Sequence, residues 1–197
     1  MSLVENASDS EESAMNIIKN KAIAILGLLT VVASVGFSAN AAPPKNAGIE
    51  PQNESVRKQL VTLPYYGVFD NLAFKVDGSV VTLYGQVTRP TTSKDAQRRV
   101  AKLEGVSSVV NNIQVLPLSS FDNQIRVRTY HAVFGKGSLY RYALGANPSI
   151  HIVVNRGNVT LEGMVASKMD SQLAYIAANG VPGVFSVTNN LQVRSGG

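Results

Sequence analysis

One segment of this chain is written twice. Val81-Thr82-Leu83, Gly85, Val87, Gly105-Val106, Val109, Asn111-Asn112 and Gln114-Val115 return as Val159-Thr160-Leu161, Gly163, Val165, Gly183-Val184, Val187, Asn189-Asn190 and Gln192-Val193. Every pair is 78 positions apart. A constant offset means that one supersecondary unit was duplicated, so the chain must fold as two copies of a small domain rather than around one large core.

The residues around the repeated ones give the order of elements in each copy. In the first, Asn53 is expected to cap a helix over Glu54–Leu63, with Val56, Leu60 and Leu63 on one face, and Pro64 ends it. Leu72–Val76 and Val81–Val87 read as strands around an Asp77-Gly78 turn. Thr92–Leu103 reads as a second helix, burying Ala96, Val100 and Leu103 and stopped by Gly105, and Val106–Val115 as the last strand. In the second copy Asp122 is expected to cap Asn123–Phe134. Strands Ile150–Val154 and Val159–Val165 follow around Asn155-Arg156-Gly157, then a helix over Asp170–Val181 and a strand over Val184–Val193. A right-handed strand–helix–strand crossover makes each last strand parallel to the one before its helix.

The predicted fold class is therefore α+β. Two tandem units, residues 53–117 and 121–194, each run helix-strand-strand-helix-strand, with a three-stranded mixed sheet packed on two helices. Units of this size have small cores, so docking of the copies is expected to add burial. The copies differ most between Phe134 and Ser149, where the second carries an insertion expected to form a short helix around Leu139–Leu144.

The N-terminal residues read differently. Residues 1–14 are acidic (Glu5, Asp9, Glu11, Glu12) without apolar periodicity, which predicts a disordered extension and leaves Met15 as an alternative start. Lys19 and Lys21, the apolar run Ala22–Phe37 and the small-residue site Ala39-Asn40-Ala41 predict a secretory signal over 15–41, with Ala42 as the first mature residue. That run is shorter than the ~20 residues of a spanning helix. Residues 42–52, with three prolines, are expected to be a linker. Loss of residues 1–41 removes two of 18 basic and four of 13 acidic residues, leaving 16 against 9 and raising the formal net charge from +5 to +7. The expected location is periplasmic or secreted. There, this charge points to anionic lipid head groups or other envelope polyanions rather than nucleic acid. The chain has no cysteine, which excludes disulfides and a lipoprotein anchor.

Catalytic chemistry is not suggested. No Ser-His-Asp order, Walker loop or dinucleotide glycine signature occurs. His131 and His151 lack partners at metal-ligand spacing, and Asp77, Asp95, Glu104, Glu162 and Asp170 are scattered over turns and helix surfaces. The expectation is a non-enzymatic protein with no cofactor and no metal.

The repeated pattern, Val81-Thr82-Leu83-Tyr84-Gly85-Gln86-Val87 followed by Gly105-Val106, Val109, Asn111 and Val115, resembles the BON domain, named for bacterial osmotically inducible and nodulation proteins. The resemblance covers about residues 53–193 and departs at the insertion and at Pro182. It implies a helix-strand-strand-helix-strand sandwich in the bacterial envelope, attachment to phospholipid surfaces, and roles in osmotic stress and envelope integrity. Some exported members resemble periplasmic chaperones. The shared residues are framework: glycines for tight backbone geometry, valines for the core, and Asn111 and Asn189 to satisfy backbone groups in a turn.

A contact surface is sought where the copies differ. On the first helix of the second copy, Ile125, Thr129, Ala132 and Val133 form the core side, Ile125 aligning with Val56. Val127, Tyr130, His131 and Phe134 gather opposite, flanked by Arg126 and Arg128; at the positions of Val127 and Arg128 the first copy has Lys58 and Gln59. An apolar-aromatic stripe edged by arginine suits a water–lipid boundary, and Tyr140, Arg141 and Tyr142 would extend it. The candidate site for anionic phospholipid, or alternatively for other envelope proteins, is thus Arg126, Val127, Arg128, Tyr130, Phe134, Tyr140 and Arg141. The competing reading is that the stripe packs internally. The unbroken apolar run Leu173–Ala178 is expected to be covered by contact between the copies.

Overall fold

The computed structural model describes residues 49–135, 137–145 and 147–194. The expected acidic extension, the signal and most of the linker lie outside these. The first copy comprises α1 (Ile49–Val61), β1 (Asn71–Asp77), β2 (Val80–Val87), α2 (Pro90–Val100) and a last strand in two pieces, β3 (Ser108–Asn111) and β4 (Gln114–Val115). The second comprises α3 (Ser120–Phe134), a 3-10 helix (Gly137–Ala143), β5 (Ile150–Asn155), β6 (Asn158–Val165), α4 (Lys168–Asn179) and β7 (Ser186–Val193).

Each sheet is mixed, as the crossover argument requires. β1 pairs antiparallel with β2, and β2 parallel with β3 and β4; β5 pairs antiparallel with β6, and β6 parallel with β7. Alternation along β2 and β6 sends Val81, Leu83, Val87 and Val159, Leu161, Val165 into the two cores, all of them buried. Val56, Ala96 and Val100 close the first core from the helix side, and Ile125, Ala174 and Ala178 close the second. A fully buried Val, Leu or Ile contributes about 1.5–3 kcal/mol, so these small cores hold the fold without covalent help.

Two residues expected to cap helices do not. α1 begins at Ile49, inside the expected linker, so Asn53 sits within the helix instead of capping it. Pro51 falls in the first turn, where its missing N–H costs nothing. The cap of α3 is Ser119, whose hydroxyl accepts from the Asp122 N–H (3.1 Å). Asp122 has another task. Its carboxylate accepts from the N–H groups of Arg156 (2.9 Å) and Gly157 (2.8 Å), both at positive φ in the β5–β6 turn. This clamp holds a left-handed arginine in the hairpin.

The insertion does structural work. In the first copy the Thr88 N–H, at the end of β2, is held by Asp70 Oδ1 (2.6 Å). The corresponding Ala166 N–H donates to the Tyr142 hydroxyl (2.8 Å), which donates to Asp170 Oδ2 (2.9 Å). The 3-10 helix thus supplies the acceptor that an aspartate supplies in the other copy.

The copies meet through the loop before β1. Ile152 N–H donates to Val68 O (2.7 Å), Tyr66 lies 5.5 Å from the His151 ring, and Phe69 makes an edge contact with Tyr130 at 6.3 Å. Val68 and Phe69 pack against the second core. Leu116 and Val153 are buried where the seam continues along the outer faces of the sheets. Contact between the copies does not reach α4: Leu173, Tyr175 and Ile176 are 41%, 38% and 61% exposed. The expectation that this run is covered by the other copy is corrected.

Candidate functional site

The proposed stripe on α3 does not exist as one exposed face. Phe134 is 2% exposed and belongs to the second core, and Tyr130 is half-buried between Phe134 and Phe69. Arg126 is 5% exposed, donating to Val154 O (2.8 Å) and Asn123 Oδ1 (2.5 Å). Burial pushes its guanidinium pKa down, against the attraction of Asp122 and Asp70. These three residues are excluded from a solvent face because α3 is enclosed on several sides, by β5, α4, the 3-10 helix and Phe69 of the first copy.

The other four remain accessible but are separated. Val127 is 51% exposed beside Arg128, and Tyr140 is 60% exposed. Arg128 donates to Gln124 Oε1 and to Pro182 O. Arg141 pairs with Asp170 at 2.8 Å and sits over the Tyr142 ring, so its charge is committed to the network that holds the insertion. Ser167, Tyr142 and Arg141 together hold the Asp170 carboxyl below its ordinary range. His131 is exposed on α3, whereas His151 is part of the seam.

A feature that the stripe argument missed lies at one end of the second copy. Phe121, in the first turn of α3, and Phe185, just before β7, are 44% and 73% exposed with ring centroids 6.0 Å apart. Phe121 lies over Gly183 and Phe185 over Gly157; a Cβ at Gly157 would come within 2.5 Å of the Phe185 ring. Two arginines stand on the segments that carry the pair: Arg156 in the clamped turn, next to the Gly157 that Phe185 covers, and Arg128, tied to the carbonyl of Pro182, next to the Gly183 that Phe121 covers. The buried Asp122 carboxylate beneath is taken up by the two turn N–H groups.

The first copy has the same geometry with different chemistry. There Gln52 donates to the Gly105 carbonyl (3.2 Å), and Ser107 and Ser79 share a hydroxyl contact of 2.7 Å. Gln52, Ser107, Ser79 and Gly78 therefore occupy the places of Phe121, Phe185, Gly157 and Arg156. The signal was legible in the repeat itself, because Ser107 and Phe185 are 78 positions apart. The valines and glycines that reveal the duplication only identify framework.

Two α+β units of this order, each closed by a crossover helix and a parallel last strand, define a tandem helix-strand-strand-helix-strand module. A family model described as the BON domain matches residues 53–117 and 141–195, and the chain belongs to that family. The second match starts beyond α3, although α3 stands over its sheet as α1 does over the first. Membership supports an envelope-associated, non-catalytic binding role. Two solved structures of CdsD, a structural protein of the type III secretion system of Chlamydia trachomatis, are similar at 10% identity. One, of its C-terminal domain, covers 72% of this chain and 96% of that one at a TM-score of 0.25. The other covers 72% and 91% at 0.28. No curated protein matches the chain.

Proposed function

We propose that this is an exported, non-enzymatic tandem BON protein that associates with anionic phospholipid surfaces and supports envelope integrity under osmotic stress. The observation that carries the reading is the exposed Phe121–Phe185 pair, with Arg128 and Arg156 on the segments that adjoin it. Exposed aromatic rings beside cations suit the boundary between head groups and acyl chains. The same place in the first copy is polar and hydrogen-bonded, so the fold itself does not demand the rings. Each cation near an anionic surface contributes about 1 kcal/mol. With the two rings the total is about 5 kcal/mol, a dissociation constant of roughly 0.1–1 mM. Binding in that range is reversible and falls with salt.

Liposome flotation tests it. The protein should float with phosphatidylglycerol vesicles and not with phosphatidylcholine, and should release at high salt. A variant carrying Phe121→Gln and Phe185→Ser, the residues the first copy has there, should fold and lose flotation. Equal binding to both lipids, or none to either, would turn the reading toward a chaperone or adaptor for other envelope proteins.

A further inference from the structure

The outward face of α4 is apolar and bare. Met169, Leu173 and Ile176 are 66%, 41% and 61% exposed, and they recur at the four-then-three spacing of a helix-packing seam. Gly180 continues the spacing at the helix end. At the same positions of α2 the first copy carries Thr91, Asp95 and Arg98, with Asp95 and Arg98 paired to each other, and Lys102 at the place of Gly180. One copy therefore covers this face with charge, and the other leaves it apolar and exposed.

We infer that α4 packs against α4 of a second copy of this chain, antiparallel about a two-fold axis near Leu173. This inference does not depend on the lipid reading. Charge distribution selects the occupant. No charged residue lies between Asp170 and Arg194, so the face brings no like charges against itself across a two-fold axis. Asp170 is buried and paired with Arg141. A surface meant for anionic lipid should be rimmed by cations, as the Phe121–Phe185 end is, and this one is not. The exposed cation on α4, Lys168, stands at its N-terminus. Antiparallel pairing moves it beside the other chain's helix C-terminus, where the partial negative charge of unpaired carbonyls favours it. Two-fold symmetry also sets Met169 of each chain against Ile176 of the other, because Leu173 lies nearly midway between them. Three side chains per chain make a small interface, below the usual size of a permanent dimer, so the dimer is concentration-dependent.

The chain has no cysteine, which makes the test clean. The full chain, purified as the cell processes it, is followed by sedimentation over a wide concentration range without lipid. The mass should rise toward twofold with concentration. A variant with Leu173→Asp and Ile176→Arg, the residues that the first copy carries there, should keep its circular dichroism and stay monomeric. Leu173→Cys should cross-link to a dimer under mild oxidation, whereas Tyr84→Cys, exposed on the other sheet, should not. A mass that stays monomeric at every concentration, or an undiminished dimer in the double variant, overturns the inference. If the chain is always monomeric and the double variant instead loses flotation with vesicles, the face belongs to the bilayer and the inference is wrong.

Discussion

At the residue scale, the two glycines of the repeated Leu-x-Gly-x-Val motif have a direct physical reason. Gly85 and Gly163 sit in the middle of strands at φ of +111° and +120°. A Cβ there would lie 2.0 Å from the Asn71 carbonyl oxygen and 2.1 Å from that of Ser149. Side chains are excluded both by conformation and by the neighbouring strand's backbone. Gly85→Ala or Gly163→Ala should cost on the order of 3 kcal/mol in urea denaturation; a neutral effect would show that the strands part easily at this point. Tyr142 allows a milder experiment. Tyr142→Phe leaves the ring in place but removes the acceptor of the Ala166 N–H and a donor to Asp170. A loss of about 1 kcal/mol is expected, since the Ala166 N–H loses its acceptor while Asp170 keeps Ser167 and Arg141. No loss would mean that water takes the place of the hydroxyl.

Asn111 and Asn189 show how far a residue-level expectation carries. Each was expected to satisfy backbone groups, and each does, though in the last strand and not in a turn. Their amide oxygens accept from Ile113 N–H (3.1 Å) and Leu191 N–H (3.2 Å), two residues on. Their amide nitrogens donate to Ser93 and Ser171 on the helix above. Side-chain amides thus stitch strand to helix, a contact that spacing alone does not reveal.

At the element scale, the order, direction and approximate bounds of the strands and helices were legible because period-two and helical patterns repeat under fixed stop signals. Terminal details were less so. Asp122 looks like a helix cap, but a nearby serine takes that task and leaves its carboxylate for a turn that is 34 residues away. The face of α3 was also misjudged, for a physical reason. Apolar residues on two sides of a helix say that both are covered or that one is not, and only the position of Phe69 from the other copy decides. Tyr130 and Phe134 are covered by it and by the insertion, and Val127 is not. On α4 the same ambiguity resolved the other way.

The seam between the copies carries a pH dependence. Burial pushes the His151 pKa below its ordinary 6.5, outweighing the raising effects of the Gly67 carbonyl, Asp70 and Glu162. The folded chain therefore favours neutral imidazole, and the unfolded chain takes up the proton first as pH falls. The contribution of His151 to stability is complete above about 6.5 and is lost as pH drops from there toward its folded pKa. Denaturation measured across that window should show a slope that His151→Phe, which keeps a ring against Tyr66, removes. A slope unchanged in the variant would assign the dependence to other groups.

At the scale of the whole molecule, duplication has produced two units with one framework and unequal surfaces. The first presents Gln52, Ser107, Asp95 and Arg98 where the second presents Phe121, Phe185, Leu173 and Ile176. The framework is shared because valines, glycines and the strand asparagines obey the same packing rules in both. Under the proposed function, the second copy makes the contact and the first is its water-facing support. The most direct test is paramagnetic relaxation enhancement by NMR, with phosphatidylglycerol nanodiscs carrying a head-group spin label. Broadening should be confined to amides around Phe121, Arg156 and Phe185, with those around Gln52, Gly78 and Ser107 left sharp. Broadening centred on the first copy, or spread evenly over both, would contradict the assignment of contact to the second.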